Sequence, residues 1–137
     1  MIRLMLDTNI CVDLIRGRSE RILARMMEHP PAEVCLSSVT LSELEYGAAK
    51  SSNPARNRLA LAKFIAPLSV LPYDDAVAPT YGRIRAGLER KGTPIGPLDT
   101  MIAAHALYLR LILVTDNERE FRRVPGLGLR NWAKDLA

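Results

Sequence analysis

Apolar positions follow two alternating rhythms along this chain. Residues 2–6 (IRLML), 34–36, 68–71 and 111–114 are short apolar runs closed by polar or turn-forming residues, the pattern of strands buried in a sheet interior. Longer periodic stretches separate them. Ile10, Val12, Leu14 and Ile15 follow the capping pair Thr8-Asn9 and stop at Gly17, and 19–29 (SERILARMMEH) is amphipathic and closed by Pro30-Pro31. A third helix runs from Ser37-Ser38 to about Lys50, with Leu41, Leu44 and Ala48 as its apolar stripe. Asn53-Pro54 opens a fourth to about Ala66, and Asp74-Asp75 cap a longer one to Gly92. The rigid loop Pro94-Ile95-Gly96-Pro97 leads into a helix over 97–109. Strands alternating with helices predict an α/β fold of three layers, α/β/α, around a central parallel sheet of four to five strands. No linker or repeat interrupts the pattern, so a single domain is expected over residues 1–137.

Composition narrows the function classes. With 137 residues and 48% hydrophobic positions the chain can bury one core, and with only 5% aromatics it lacks the rings of a module that stacks RNA bases across a sheet or barrel. The balance of 19 Lys+Arg against 15 Asp+Glu is mildly basic and favours polyanionic partners. Cys11 and Cys35 sit in apolar contexts and read as buried thiols in a reducing cytosol. The opening MIRLML reaches Asp7 too early for a signal-peptide core, and no apolar run approaches the roughly 18 residues of a membrane span, so a soluble, cytoplasmic protein is expected.

The acids then change the picture. In parallel sheets ligands bind beyond the carboxyl ends of the strands, and those are the positions where acids fall. Asp7 follows the first strand, Asp99 is the sole charge between Thr93 and Leu109, and Asp116 follows the late strand with Glu118 and Glu120 close behind. Helix capping accounts for each acid singly. It does not account for a cluster, because two carboxylates about 4 Å apart repel by about 4 kcal/mol at an effective dielectric of 20. A hard divalent cation such as Mg²⁺ or Mn²⁺ removes the repulsion. The second strand supplies Glu43 or Glu45. Thr40-Leu41-Ser42-Glu43 matches a capping box, whereas the nearness of Glu43 to the strand end and the space at Gly47 favour Glu43 for the cluster.

Four motifs in order, LDTN (6–9), SSVTLSELEYGA (37–48), GTPIGPLDTMIAAHA (92–106) and VTDNEREF (114–121), together with the ending FRRVPGLGLRNW (121–132), make the chain resemble the PIN-domain ribonucleases, and among them the VapC toxins of bacterial toxin–antitoxin pairs. The resemblance implies a PIN-like fold and a metal-dependent endoribonuclease. It makes Asp7 and Asp99 the principal Mg²⁺ ligands, Glu43 a third acid acting directly or through water, and Glu120 the fourth catalytic acid, with Asp116 a further metal-ligand candidate. Asn9, Thr115 and Asn117 then orient the carboxylates by hydrogen bonds. It also implies a homodimer, a VapB-type antitoxin covering the acidic site, a heterooctamer of the two, and RNA as substrate. The match around GTPIGPLDTMIAAHA points to members that cut initiator tRNA in the anticodon stem-loop.

Substrate binding falls to the bases. Residues 50–91 hold eight Lys or Arg against three acids, while the rest of the chain holds eleven against twelve. This places the whole positive surplus in one segment, expected as an RNA-gripping flank with Arg83, Arg85 and Lys91 as contacts. Two alternatives stand beside the nuclease. One is a catalytically silent RNA- or antitoxin-binding module. The other is a haloacid-dehalogenase-like phosphatase with Asp74-Asp75 as its paired acids, weakened by Asn9 standing where a second acid is needed. His105, on an apolar helix, reads as a packed or capping histidine.

Overall fold

A computed structural model describes residues 1–134; the last three residues of the domain expected over 1–137 lie outside the described residues. Five strands form one parallel sheet: β1 (Leu4–Leu6), β2 (Val34–Ser37), β3 (Ser69–Leu71), β4 (Ile112–Val114) and β5 (Leu129–Arg130), in the order β3-β2-β1-β4-β5. The helices are α1 (Thr8–Arg16), α2 (Glu20–Met27), α3 (Ser38–Ala49), α4 (Pro54–Ile65), α5 (Ala78–Arg90), α6 (Pro97–Tyr108) and the short α7 (Glu118–Phe121). The sheet is of the expected kind. β5, the two 3-10 turns (Pro31–Glu33 and Asp75–Val77) and α7 had no apolar rhythm to announce them, being two to four residues long.

Strand alternation sorts the core onto the two faces. Met5, Cys35 and Leu113 point to one side, where Ile84 and Leu88 of α5, Ile102, Ala103 and Ala106 of α6, and Phe121 cover them. Leu4, Leu6, Val34, Leu36 and Val114 point to the other, against Ile10 of α1, Ile22 of α2, Leu44 of α3, Leu61 of α4 and Trp132. Two-sided burial is why these strands read as unbroken apolar runs. Cys11 and Cys35 are both buried and free, and burial pushes both thiols up, that of Cys35 to about 12. They are packed core groups.

Local signals end the helices where the sequence places them. Gly17 closes α1 in the left-handed region (φ 64°), returning its N–H to Asp13 and Leu14 carbonyls. The Asn53 side chain accepts from Arg56 N–H with Pro54 at the first helical position, and Ser19 accepts from Ile22 N–H. One capping expectation is corrected. Ser37, not Thr40, caps α3, so Thr40 to Glu43 is no capping box and the Glu43 carboxylate is left for another partner.

The topology locates the crevice. The chain lays β2 and β3 to one side of β1 and then crosses to place β4 on the other side, so the order switches between β1 and β4. Leu6 pairs in register with Val114, and the residues that follow, Asp7 and Thr115, emerge side by side at that switch point.

Candidate metal centre

Asp7 is the N-cap of α1 and only 3% exposed. Its Oδ1 accepts a hydrogen bond from Thr8 N–H (2.7 Å) and its Oδ2 one from the Thr115 hydroxyl (2.8 Å). Burial, reinforced by the fields of Asp99 and Asp116 and opposed by those two hydrogen bonds, raises its pKa to about 6. Asp99 occupies the first turn of α6, half-buried, and receives no hydrogen bond from any described residue. Its pKa is also raised, first by burial and then by the charges of Glu43 and Glu120. Asp7 thus feels the charges of Asp99 and Asp116, and Asp99 those of Glu43 and Glu120, so each of the five acids lies within electrostatic reach of Asp7 or Asp99.

Supporting hydrogen bonds hold the acids in place. Thr115 donates to Asp7 and accepts from Asn117 N–H (2.9 Å), while Asn117 Nδ2 donates to Glu120 Oε2 (3.1 Å). Asn9 does not take the expected part: it is exposed and makes no hydrogen bond to a described carboxylate, because α1 turns it toward solvent. Its neighbour Thr8 does the work instead, donating its hydroxyl to Glu43 Oε1 at 2.7 Å and so tying α1 to α3. Thr8 was missed in the sequence because it also reads as a helix-opening residue. Glu45 points away from the crevice and pairs with Arg58. Glu118 is taken by Lys134 (2.6 Å) and Asn131 (3.1 Å), a fixed anchor for the C-terminal segment. Asp116 is exposed and has no ion-pair partner among the described residues.

The other candidates are placed as follows. His105 is buried with Nδ1 2.8 Å from Ser37 Oγ, and burial lowers its pKa, so it is a neutral internal link between α6 and the start of α3. Asp74 caps the 3-10 turn at Ala76 and does not form a pair with Asp7. The basic segment is not one flank. α4 packs on one face of the sheet and α5 on the other, because β3 lies between them in the chain. Arg85 is engaged by Glu89 and the Tyr81 hydroxyl, and Arg83 lies against Thr80; Lys91 caps the end of α5. Nearer the acids, a groove of about 460 Å³ between α1, α3 and α4 is bordered by Glu43, Gly47, Arg16 and Arg56 over an apolar floor that includes Ile15 and Leu61.

Among the described residues no three Asp, Glu, His or Cys side chains converge tightly enough to enclose an ion alone. The donor set nonetheless fits a hard cation. Every candidate is a carboxylate oxygen, Asp7 and Asp99 have no cationic partner among the described residues, and both are held toward protonation, Asp7 by burial and the charges of Asp99 and Asp116, Asp99 by burial and the charges of Glu43 and Glu120. An octahedral ion that keeps several waters and takes one or two carboxylates at a time suits such an open set.

Comparison with known proteins agrees with this geometry. Residues 4–127 match the family model described as PIN domain. The chain is 48% identical to the tRNA(fMet)-specific endonuclease VapC of Salmonella typhimurium, across 96% of this chain and 99% of that protein, and 47% identical to the Shigella flexneri protein of the same name, across 97% and 100%. Its fold superposes with a TM-score of 0.91 on the crystal structure of DNA-bound VapBC from Salmonella typhimurium (48% identity, 96% and 99% covered). The TM-score is 0.90 on VapBC2 from Rickettsia felis bound to a promoter DNA fragment (36% identity, 96% and 99% covered). An acid-lined switch point on this sheet, with a match of this extent, means that the chain belongs to the PIN-domain family.

Proposed function

We propose that this protein is a divalent-metal-dependent endoribonuclease, the toxin of a VapBC-type pair, that cuts tRNA, with initiator tRNA cleaved in its anticodon stem-loop. The observation that carries the reading is the group of uncompensated carboxylates at the β1/β4 switch point, in a chain 48% identical to a tRNA(fMet)-specific endonuclease. Asp7 and Asp99 are the principal metal ligands, Glu43 and Glu120 complete the set, and Asp116 is a further ligand on the Asp7 side. Mg²⁺ is the expected ion, with Mn²⁺ as its substitute. When bound, such an ion lowers the pKa of a coordinated water and neutralises charge on the attacked phosphate and the leaving oxygen.

The protein's own part is positional. Thr115 holds one Asp7 oxygen, Thr8 holds Glu43, and Asn117 holds Glu120, so these three carboxylates are fixed before substrate arrives. The buried Asp7 supplies a strong charge at a dry spot, and Asp99, only half-buried, is the more accessible of the two. No Ser, Cys or His nucleophile is required. His105 is buried against Ser37, away from solvent.

The partner is a VapB-type antitoxin, as in the VapBC complexes that this fold resembles, together with a second toxin copy and a heterooctamer of the two. Exposed Leu23 and Met27 on α2 and Leu59 on α4 provide apolar surface for such contacts. No helix among the described residues is long and apolar enough to cross a membrane, and the chain is proposed to work in the cytoplasm as a single PIN domain over 1–137. The decisive experiment incubates purified protein with initiator and elongator tRNAs in Mg²⁺, Mn²⁺ or EDTA and maps the new ends. Cleavage of initiator tRNA that stops in EDTA and in Asp7→Asn and Asp99→Asn proteins is expected. Undiminished cleavage by either variant would overturn the reading.

A further inference from the structure

Aromatic residues are few, two Phe, four Tyr and one Trp, and most are committed to the interior. Phe121 and Trp132 are buried, and Phe64, Tyr73 and Tyr81 are partly so. Only two rings are broadly exposed among the described residues, Tyr46 at 64% and Tyr108 at 46%. Tyr108 ends α6, about 13 Å along the axis from Asp99 at 1.5 Å per residue. Tyr46 stands three residues after Glu43 on α3, on the same helix face, where Cβ atoms are about 5–6 Å apart. One exposed ring therefore borders the acid crevice.

Its surroundings are cationic. The Lys50 ammonium lies over the Tyr46 ring, 4.9 Å from the centroid, and makes no ion pair with a described carboxylate. Arg16 and Arg56 border the groove that Glu43 shares, also without ion-pair partners among the described residues. Gly47, between Glu43 and Lys50, lines the groove and faces open space, with nothing within 4 Å of where a Cβ would stand. A carboxylate cluster repels a phosphate backbone, so a polyanionic strand needs cations at the lip of the crevice, and these three are placed for it. The ammonium occupies one π-face of an exposed ring, so a base stacks on the opposite face, or on the same one once the exposed Lys50 side chain swings off to the phosphate of that nucleotide.

We propose that Tyr46 and Lys50 form a nucleotide platform for the RNA substrate. The ring stacks an unpaired base and the ammonium meets its phosphate, while Arg16 and Arg56 hold the strand on the other side so that a neighbouring phosphodiester lies at the carboxylates. The proposal rests on the ribonuclease reading above. It also agrees with the composition: the chain has too few rings for a stacking module, but one ring is enough to seat a single base.

Steady-state cleavage of a fluorescein-labelled initiator-tRNA anticodon stem-loop tests it, together with binding of the same RNA to proteins in an Asp7→Asn background. Tyr46→Ala is expected to raise KM and Kd about 10-fold, with the loss falling on KM rather than kcat, and Tyr46→Phe to restore wild-type values because it keeps the ring. Lys50→Ala should weaken binding a few-fold and lower the salt dependence by about one phosphate contact. Tyr108→Ala, the distant exposed ring, serves as the control and should behave as wild type. Wild-type KM and Kd in a folded Tyr46→Ala protein would overturn the platform. So would equal defects in Tyr46→Ala and Tyr46→Phe, or a defect confined to self-association or antitoxin binding in sedimentation. Cleavage surviving in Asp7→Asn would instead strike the nuclease site and leave the binding comparison standing, so the two failures are distinguishable.

Discussion

Asp7 shows how a single buried carboxylate links folding to chemistry. Its pKa is about 6 in the folded chain against an ordinary 3.8, so the folded state holds the proton more tightly than the unfolded state does. The stability this brings is present below about pH 4 and is lost as pH rises through about 6. Above that, burying the charge in metal-free protein costs about 3 kcal/mol. Asp7→Asn removes the charge and retains one acceptor where Asp7 uses two, so in EDTA at pH 7 the variant should be more stable than wild type by about 1–2 kcal/mol. Below pH 4, where Asp7 is protonated in both states, only the lost acceptor remains and the variant should be the less stable protein. Urea unfolding across pH 4 to 7.5 measures both, and a variant no more stable than wild type at pH 7 would contradict the account. Protons and metal compete for the same oxygens, so cleavage should also fall with decreasing pH, and the fall should move to lower pH as free metal is raised. Thr8 makes a second residue-scale case. Its hydroxyl is the hydrogen-bond donor to Glu43, so Thr8→Val should lower metal affinity and cleavage about 10-fold while leaving Tm nearly unchanged, with Thr8→Ser restoring both. Metal titration followed by cleavage rate checks it.

At the scale of elements, what the sequence announced and what it hid divide by physical cause. Long periodic stretches such as α1 and α2 were legible because a buried stripe must repeat every turn and because caps such as Asn53 and Gly17 have few substitutes, and α6, buried around most of its circumference, was legible from Pro97 in its first turn. Asp7 and Asp99 were legible for the complementary reason, being lone charges in apolar runs where burial has to be compensated. β5 and α7 were hidden because, unlike the equally short β1 and β4, they lie in mixed sequence (GLGLRN and NEREF) with no continuous apolar run to mark them. That Thr8 and not the expected Asn9 holds a carboxylate was hidden because it depends on how α1 meets α3. The same substitution therefore has opposite signs in two helices. Gly17→Ala forces a side chain into a left-handed cap and should destabilise by about 1 kcal/mol, whereas Gly47→Ala, inside α3 with open space around it, should stabilise by about 0.5–1 kcal/mol. Thermal melts of the two proteins decide it, and matching signs would contradict the helix placements.

For the whole molecule, the distribution of charge sets what metal does to stability. The segment 50–91 holds the positive surplus, but the sheet divides it, with α4 on one face and α5 on the other, so no continuous basic flank offsets the acids at the switch point. The carboxylates repel one another in the folded chain and separate in the unfolded one, and an ion that binds only the folded arrangement must stabilise it. At 100 times its dissociation constant that stabilisation is about 2.7 kcal/mol. Mg²⁺ or Mn²⁺ should therefore raise the Tm of wild-type protein in proportion to the logarithm of free metal, with much of the rise lost in Asp7→Asn and in Asp99→Asn. Screening alone would act differently: the same ionic strength supplied as NaCl would reproduce the shift if the acids only needed their mutual repulsion damped, and it would do so equally at any cation radius. Melts in matched MgCl₂, MnCl₂ and NaCl separate the cases. A shift equal in all three salts would mean that the crevice is a screened acidic patch, and a shift confined to the divalent ions, absent without Asp7, would mean that the partly buried carboxylates at the switch point are a binding site.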